Sequence, residues 1–322
     1  MIKRTLYFGN PAYLNLHNSQ LIVRLPEVEK NQSLSENFKK EAAASIPVED
    51  IGIVILDHYQ VTITQGLLTA LLENNAVVVT CNAKHHPEGL LMTLSGNTIQ
   101  SERFASQIEA SEPLKKQPWA QTISQKIKNQ AAVLKMNNVD NSYLIPLYKN
   151  IKSGDSDNCE ATAAAYYWKH IFKTLPEFET LAGLQTLAGF KREREGNSPN
   201  NFLNYGYAIL RATMARSVVG AGLQPTLGIH HHNRYNAFCL ADDLMEPYRP
   251  YVDLVVCEIL KTNKLNDDIP KEIKVELLKI PAIDVNIDGE KSPLMIATQR
   301  TAVSLVKCFE GDYRKIAYPE LD

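Results

Sequence analysis

The hydrophobic period of this chain changes near residue 100, and that change limits the fold to two dissimilar parts. Before it, Ile51-Gly52-Ile53-Val54-Ile55-Leu56 and Ala76-Val77-Val78-Val79-Thr80 are continuous apolar runs, the pattern of strands buried on both faces. Thr5–Phe8, Tyr13–Leu16 and Gln20–Leu25 are shorter β-prone runs between Gly, Asn, Pro and Ser. They predict an antiparallel meander, with a helix over Thr62–Glu73. After the change, Trp119, Ile123, Ile127, Ala131 and Leu134 recur at helical spacing, and further helical patterns cover Ala161–Phe172, Asn201–Val219, Leu244–Leu260 and Leu294–Phe309. Gly96-Asn97 and the polar run behind it interrupt the pattern. The expected architecture is an α+β multidomain chain, with a β-rich N-terminal domain over 1–97 and an all-α C-terminal domain over 98–322.

Composition acts here by exclusion. Lys and Arg number 34 against 36 Asp and Glu, a net charge of −2, which argues against indiscriminate binding of nucleic acid through a uniformly positive surface. Local basic clusters remain: Lys191-Arg192 with Arg194, Arg211 with Arg216, and Arg234 with Arg249. Each reads equally as a solvated charged face. The five cysteines are odd in number and widely spaced, with no CxxC pair, so a reduced, cytoplasmic protein is expected. No stretch approaches the ~20 apolar residues of a membrane span.

Chemistry concentrates in two segments. His230-His231-His232 is followed by Asp242-Asp243-Leu244-Met245-Glu246, and imidazole with carboxylate is a ligand set that divalent cations accept. Consecutive side chains diverge, so only one of the three histidines is expected to bind an ion. On a helix Asp243 and Glu246 stand at i and i+3, so at least two acids of this run share a face. The same pair fits a capping box, an N-cap Asp with Glu three residues on. Glu160 opens a second helical pattern with Asp157 three residues before it, and the capping reading applies there too.

The run Leu227-Gly228-Ile229-His230-His231-His232-Asn233-Arg234-Tyr235-Asn236-Ala237-Phe238, the stretch Asp242–Pro250, the helix start from Gly154 to Glu160, and Asn201–Leu210 together resemble the CRISPR-associated integrase of spacer acquisition. Asp-Leu-Met-Glu-Pro-Tyr-Arg-Pro is similar to its type II branch. The resemblance implies metal-binding and catalytic roles for Glu160, His231 and Glu246, with Asp243 as a further acid close to the metal. It implies a homodimer formed through N-terminal domains, and two such dimers around a small dimeric second acquisition protein as a heterohexamer. It also leaves room for the type II effector nuclease as a partner.

If Glu160, His231 and Glu246 converge, Mg²⁺ or Mn²⁺ suits two carboxylates and one imidazole better than structural zinc. Such a site can polarise a phosphodiester and orient a 3′-hydroxyl for strand transfer into a repeat edge, or water for endonuclease cleavage. Arg249, Arg234, Arg211, Arg216 and Lys191 are then the expected contacts to double-stranded DNA, the protospacer and the repeat. Two other readings use the same residues: a non-catalytic DNA-binding assembly scaffold, in which the acids cap helices, and a metal hydrolase of a small phosphorylated metabolite.

Overall fold

The computed structural model describes residues 3–321 apart from 176–177, 181–182, 186, 188–189, 194–195, 263–264 and 266–267. The chain divides into two compact units, Met1–Gly96 and Asn97–Asp322.

In the first unit the apolar runs form the inner strands. In chain order it carries β1 (Arg4–Phe8), β2 (Ala12–His17), β3 (Gln20–Arg24), α1 (Pro26–Glu29), α2 (Glu36–Glu41), β4 (Ala44–Pro47), β5 (Ile51–Leu56), β6 (Val61–Ile63), α3 (Gln65–Glu73), β7 (Val77–Cys81) and β8 (Pro87–Leu91). They build two four-stranded sheets, β1-β5-β7-β8 and β4-β3-β2-β6. The core between them contains Leu14, Leu21, Ile51, Val54, Leu67, Leu71 and Val78.

The expected meander is corrected: β2, β3 and β4 pair antiparallel, but β1 pairs parallel with β5. β5 is buried and must satisfy both of its edges, and it does so with β1 and β7 as parallel neighbours. The helix expected from Thr62 starts at Gln65 instead, because Val61–Ile63 pairs with β2, as β-branched residues favour.

The second unit is helical: α4 (Gln100–Glu109), α5 (Glu112–Met136), α6 (Leu144–Lys149), α7 (Cys159–His170), then the short strands β9 (Phe178–Thr180) and β10 (Gly183–Gln185), α8 (Asn200–Gly220), α9 (Cys239–Met245), α10 (Arg249–Thr262) and α11 (Lys271–Leu278). It closes with β11 (Asp284–Ile287), β12 (Glu290–Pro293), α12 (Leu294–Phe309) and β13 (Pro319–Glu320). The helices carry the unit, yet it is not all-α: β9 and β10 form a ribbon, and β12-β11-β13 a three-stranded sheet. Asp288 and Gly289, both at positive φ, make the β11–β12 turn, where glycine adopts that conformation without penalty. α8 is buried on nearly every face and forms the axis on which α9, α10 and α12 pack.

The pattern expected as one helix over Leu244–Leu260 is broken. A single 3₁₀ turn, Glu246–Tyr248, separates α9 from α10, where Pro247 and Pro250 supply no N–H to a continuous ladder. No described helix is long and apolar enough to cross a membrane.

Candidate active site

Neither capping box forms. At the start of α7 it is Asp155 whose carboxylate accepts the N–H groups of Cys159 (2.9 Å) and Glu160 (3.0 Å), while Asp157 pairs with Lys152 at 2.8 Å. The Glu160 carboxylate takes no part in capping and pairs with Lys126 instead. α9 begins at Cys239, so Asp243 lies inside it, fully buried. Its carboxylate accepts the N–H of His230 at 2.9 Å and lies 2.5 Å from His231 Nδ1. That carboxylate fixes the histidine loop on the helix.

Three histidines meet three fates. The ring of His230 stacks flat on Trp119, with centroids 4.1 Å apart and planes 2° from parallel; burial first, then neighbouring His231, lower its pKa. His231 turns edge-on to the same indole at 5.5 Å. Its pKa is raised, chiefly by the hydrogen bond to Asp243 and further by the charges of Glu246 and Glu160. With Nδ1 committed to Asp243, Nε2 is the ring nitrogen left for another partner, the arrangement that metal-ligating histidines share. His232 instead lines an open cleft of about 550 Å³ together with Arg234 and Tyr235.

Glu160 and Glu246 meet at one point, the ammonium of Lys126. Lys126 Nζ stands 2.6 Å from Glu160 Oε1 and 2.6 Å from Glu246 Oε2. Burial works to lower the lysine pKa, but the two carboxylates outweigh it and the net direction is upward. Glu246 is buried, which alone would raise its pKa; Arg249 and Lys126 reverse the sign and hold it ionised. Its Oε2 is a contact ion pair without an aligned hydrogen-bond donor.

Among the described residues no three His, Cys, Asp or Glu side chains are grouped closely enough to hold an ion as they stand. The donor set nevertheless fits a hard divalent cation. A buried carboxylate oxygen has no aligned donor, a second carboxylate shares its counter-charge, and an oriented imidazole feels both.

The basic residues separate sharply. Arg216 is 3 % exposed on the inner face of α8, so the expected phosphate contact there is corrected: its guanidinium is sealed inside the unit. Arg249 is turned inward, its Nε 2.9 Å from Glu246 Oε1 and its guanidinium 4.7 Å from the ring of Tyr207. Its expected role shifts from substrate contact to holding Glu246. Arg211 grips Asp242 with two hydrogen bonds, 2.6 and 3.2 Å, but stays partly exposed. Arg234 lies over the exposed ring of Tyr235 at 4.7 Å, and Lys191 is exposed. Arg194 falls outside the described residues.

Two residues escaped the sequence reading. Lys126 lies on the apolar stripe of α5, three residues after Ile123 and seven after Trp119, and a lysine there demands a buried partner. Asp253, 1 % exposed, accepts the hydroxyls of Tyr167 (2.8 Å) and Tyr207. It ties α10 to α7 and α8.

Comparison with known proteins decides the family. Residues 8–278 match the family described as CRISPR associated protein Cas1. The chain belongs to the Cas1 family. It is 32% identical over 307 residues to the CRISPR-associated endonuclease Cas1 of Neisseria meningitidis, spanning 94% of this chain and 91% of that one. It is 27% identical to a Cas1 endonuclease of Pyrobaculum aerophilum over 83% of this chain and 90% of the relative. Two solved structures share the fold: a casposase bound to integration product, with TM-score 0.75, 18% identity and coverage of 98% of this chain and 92% of that one, and a Cas1 protein from Thermotoga maritima, with TM-score 0.69, 16% identity and coverage of 96% and 98%.

Proposed function

We propose that this Cas1-family protein is a metal-dependent DNA endonuclease and integrase of spacer acquisition, with Glu160, His231 and Glu246 as ligands of one Mg²⁺ or Mn²⁺ ion. The observation that carries the reading is the convergence of Glu160 from α7 and Glu246 from the α9–α10 break on a single cation, beside an imidazole whose charge both acids influence. When bound, the ion supplies Lewis acidity to a phosphodiester.

The chain's own residues do the rest. Asp243 holds His231 by Nδ1, Arg249 keeps Glu246 ionised, and Asp155 caps the helix that carries Glu160. Arg234, Arg211 and Lys191, at the surface or partly exposed, are the DNA contacts, adding a salt-dependent, sequence-independent affinity. Strand transfer exchanges one phosphodiester for another, so no nucleotide hydrolysis is needed.

Relatives support a Cas1–Cas2 partnership and action on DNA. The likeness includes a casposase seen with an integration product and a Cas6-RT-Cas1–Cas2 complex. We further propose that the protein works in the cytoplasm as a homodimer on double-stranded DNA, joined in a heterohexamer by the small second acquisition protein, with the type II effector as a further partner. The test is integration of a 3′-hydroxyl duplex into repeat DNA by Glu160→Ala in the full complex. Loss of product with retained complex and DNA binding is expected; undiminished integration would leave only a scaffold.

A further inference from the structure

We infer that Lys126 is a resident counter-cation of the site, which a divalent ion must displace before it can be held by Glu160 and Glu246. This rests on the metal reading above and adds to it a residue that the sequence motifs did not mark. Lys126 rises from the middle of α5, flanked by buried Ile123 and Ile127, so its ammonium is anchored below the two carboxylates rather than draped over them from solvent.

Each acid contributes an oxygen at 2.6 Å, so both carboxylates are in direct contact with the ammonium that stands between them. One lysine therefore neutralises the repulsion between two acids brought from different helices. A buried pair stripped of its partner is strongly destabilised, so the lysine keeps the acids together while no ion is bound. The same contacts oppose loading, because both must break when an ion arrives. The side chain that preserves the site thus weakens its affinity. Arg249 does not share this role: it holds Glu246 Oε1 and is fixed over Tyr207.

The experiment is a Mn²⁺ titration read by the paramagnetic resonance of free ion, on full-length wild type, Lys126→Met and Lys126→Arg at pH 8 without DNA. We expect Lys126→Met to bind Mn²⁺ about tenfold more tightly, with Lys126→Arg close to wild type. Equal or weaker binding by Lys126→Met, with wild type binding normally, overturns this inference alone. A wild type that binds no Mn²⁺ removes the metal reading and this inference with it. Should Lys126→Met fail to fold, amine-selective labelling of the wild type followed by mass spectrometry decides. Labelling of Lys126 that rises on Mn²⁺ addition is expected, and unchanged labelling contradicts displacement.

Discussion

Glu246 and Asp253 are two buried acids two helical turns apart on one stretch of chain, and their surroundings give them opposite characters. Glu246 faces Arg249 and Lys126, and these cations reverse the effect of burial so that it stays ionised. Asp253 is pushed up to about 6, because burial outweighs the hydrogen bonds from Tyr207 and Tyr167 and the more distant arginines. One carboxylate is held as an anion with an oxygen lacking an aligned donor; the other is saturated by phenols and works as a rivet between helices. Residue type alone distinguishes neither role, and the charge of the neighbours assigns both.

The largest effect that separates them is on chemistry. Glu246→Gln, which keeps size and removes charge, should lower strand transfer on the order of a hundredfold or more, whereas Asp253→Asn should leave it within a few-fold. Comparable losses in both variants, measured as integration product per unit time, would dissolve the distinction.

Next comes pH. Asp253 has a folded pKa above its unfolded value of 3.8, so the stability it favours is complete below pH ~4 and is lost as pH rises through about 6. Wild type minus Asp253→Asn, compared by urea denaturation from pH 4 to 7, should show that fall, with a ceiling of about 3 kcal/mol. A difference that is flat across the range contradicts a raised pKa.

Removing one rivet hydroxyl, Tyr167→Phe, should cost about 1 kcal/mol in the same assay without altering Mn²⁺ affinity. The smallest change is expected at Arg211→Ala. Its side chain is 39 % exposed and its partner Asp242 keeps a second donor in Asn236, so the cost in stability should stay at about 1 kcal/mol and its signature should be weaker DNA binding with a shallower salt dependence. A full loss of folding in that variant would place Arg211 in the structural class with Arg216.

The sequence exposed some of this directly. β5 and β7 were legible because strands buried on both faces have no polar alternation to hide them, and the helical pattern Leu294–Phe309 coincides with α12 because its stripe is unbroken. The pairing of β1 with β5 was not legible, since pairing across that separation leaves no local signature. The Asp288-Gly289 turn was a readable hairpin signal overshadowed by the surrounding helical period. At the site, Glu160 and Asp243 looked like capping residues, and only tertiary placement shows Asp155 capping α7 and Asp243 bonding the histidine loop. Lys126 went unmarked: a lysine on an apolar stripe signals a buried partner, but its partners Glu160 and Glu246 lie far along the chain. Arg216 read as a surface cation because charge carries no record of burial.

The central claim is that one divalent ion joins Glu160, His231 and Glu246. Crystals grown with Mn²⁺ and measured at its absorption edge test this directly. A single anomalous peak about 2.0–2.3 Å from Glu160, Glu246 and His231 Nε2 is the predicted result. A peak bound elsewhere, or none at saturating Mn²⁺, with Lys126 still bridging the two acids, would contradict it.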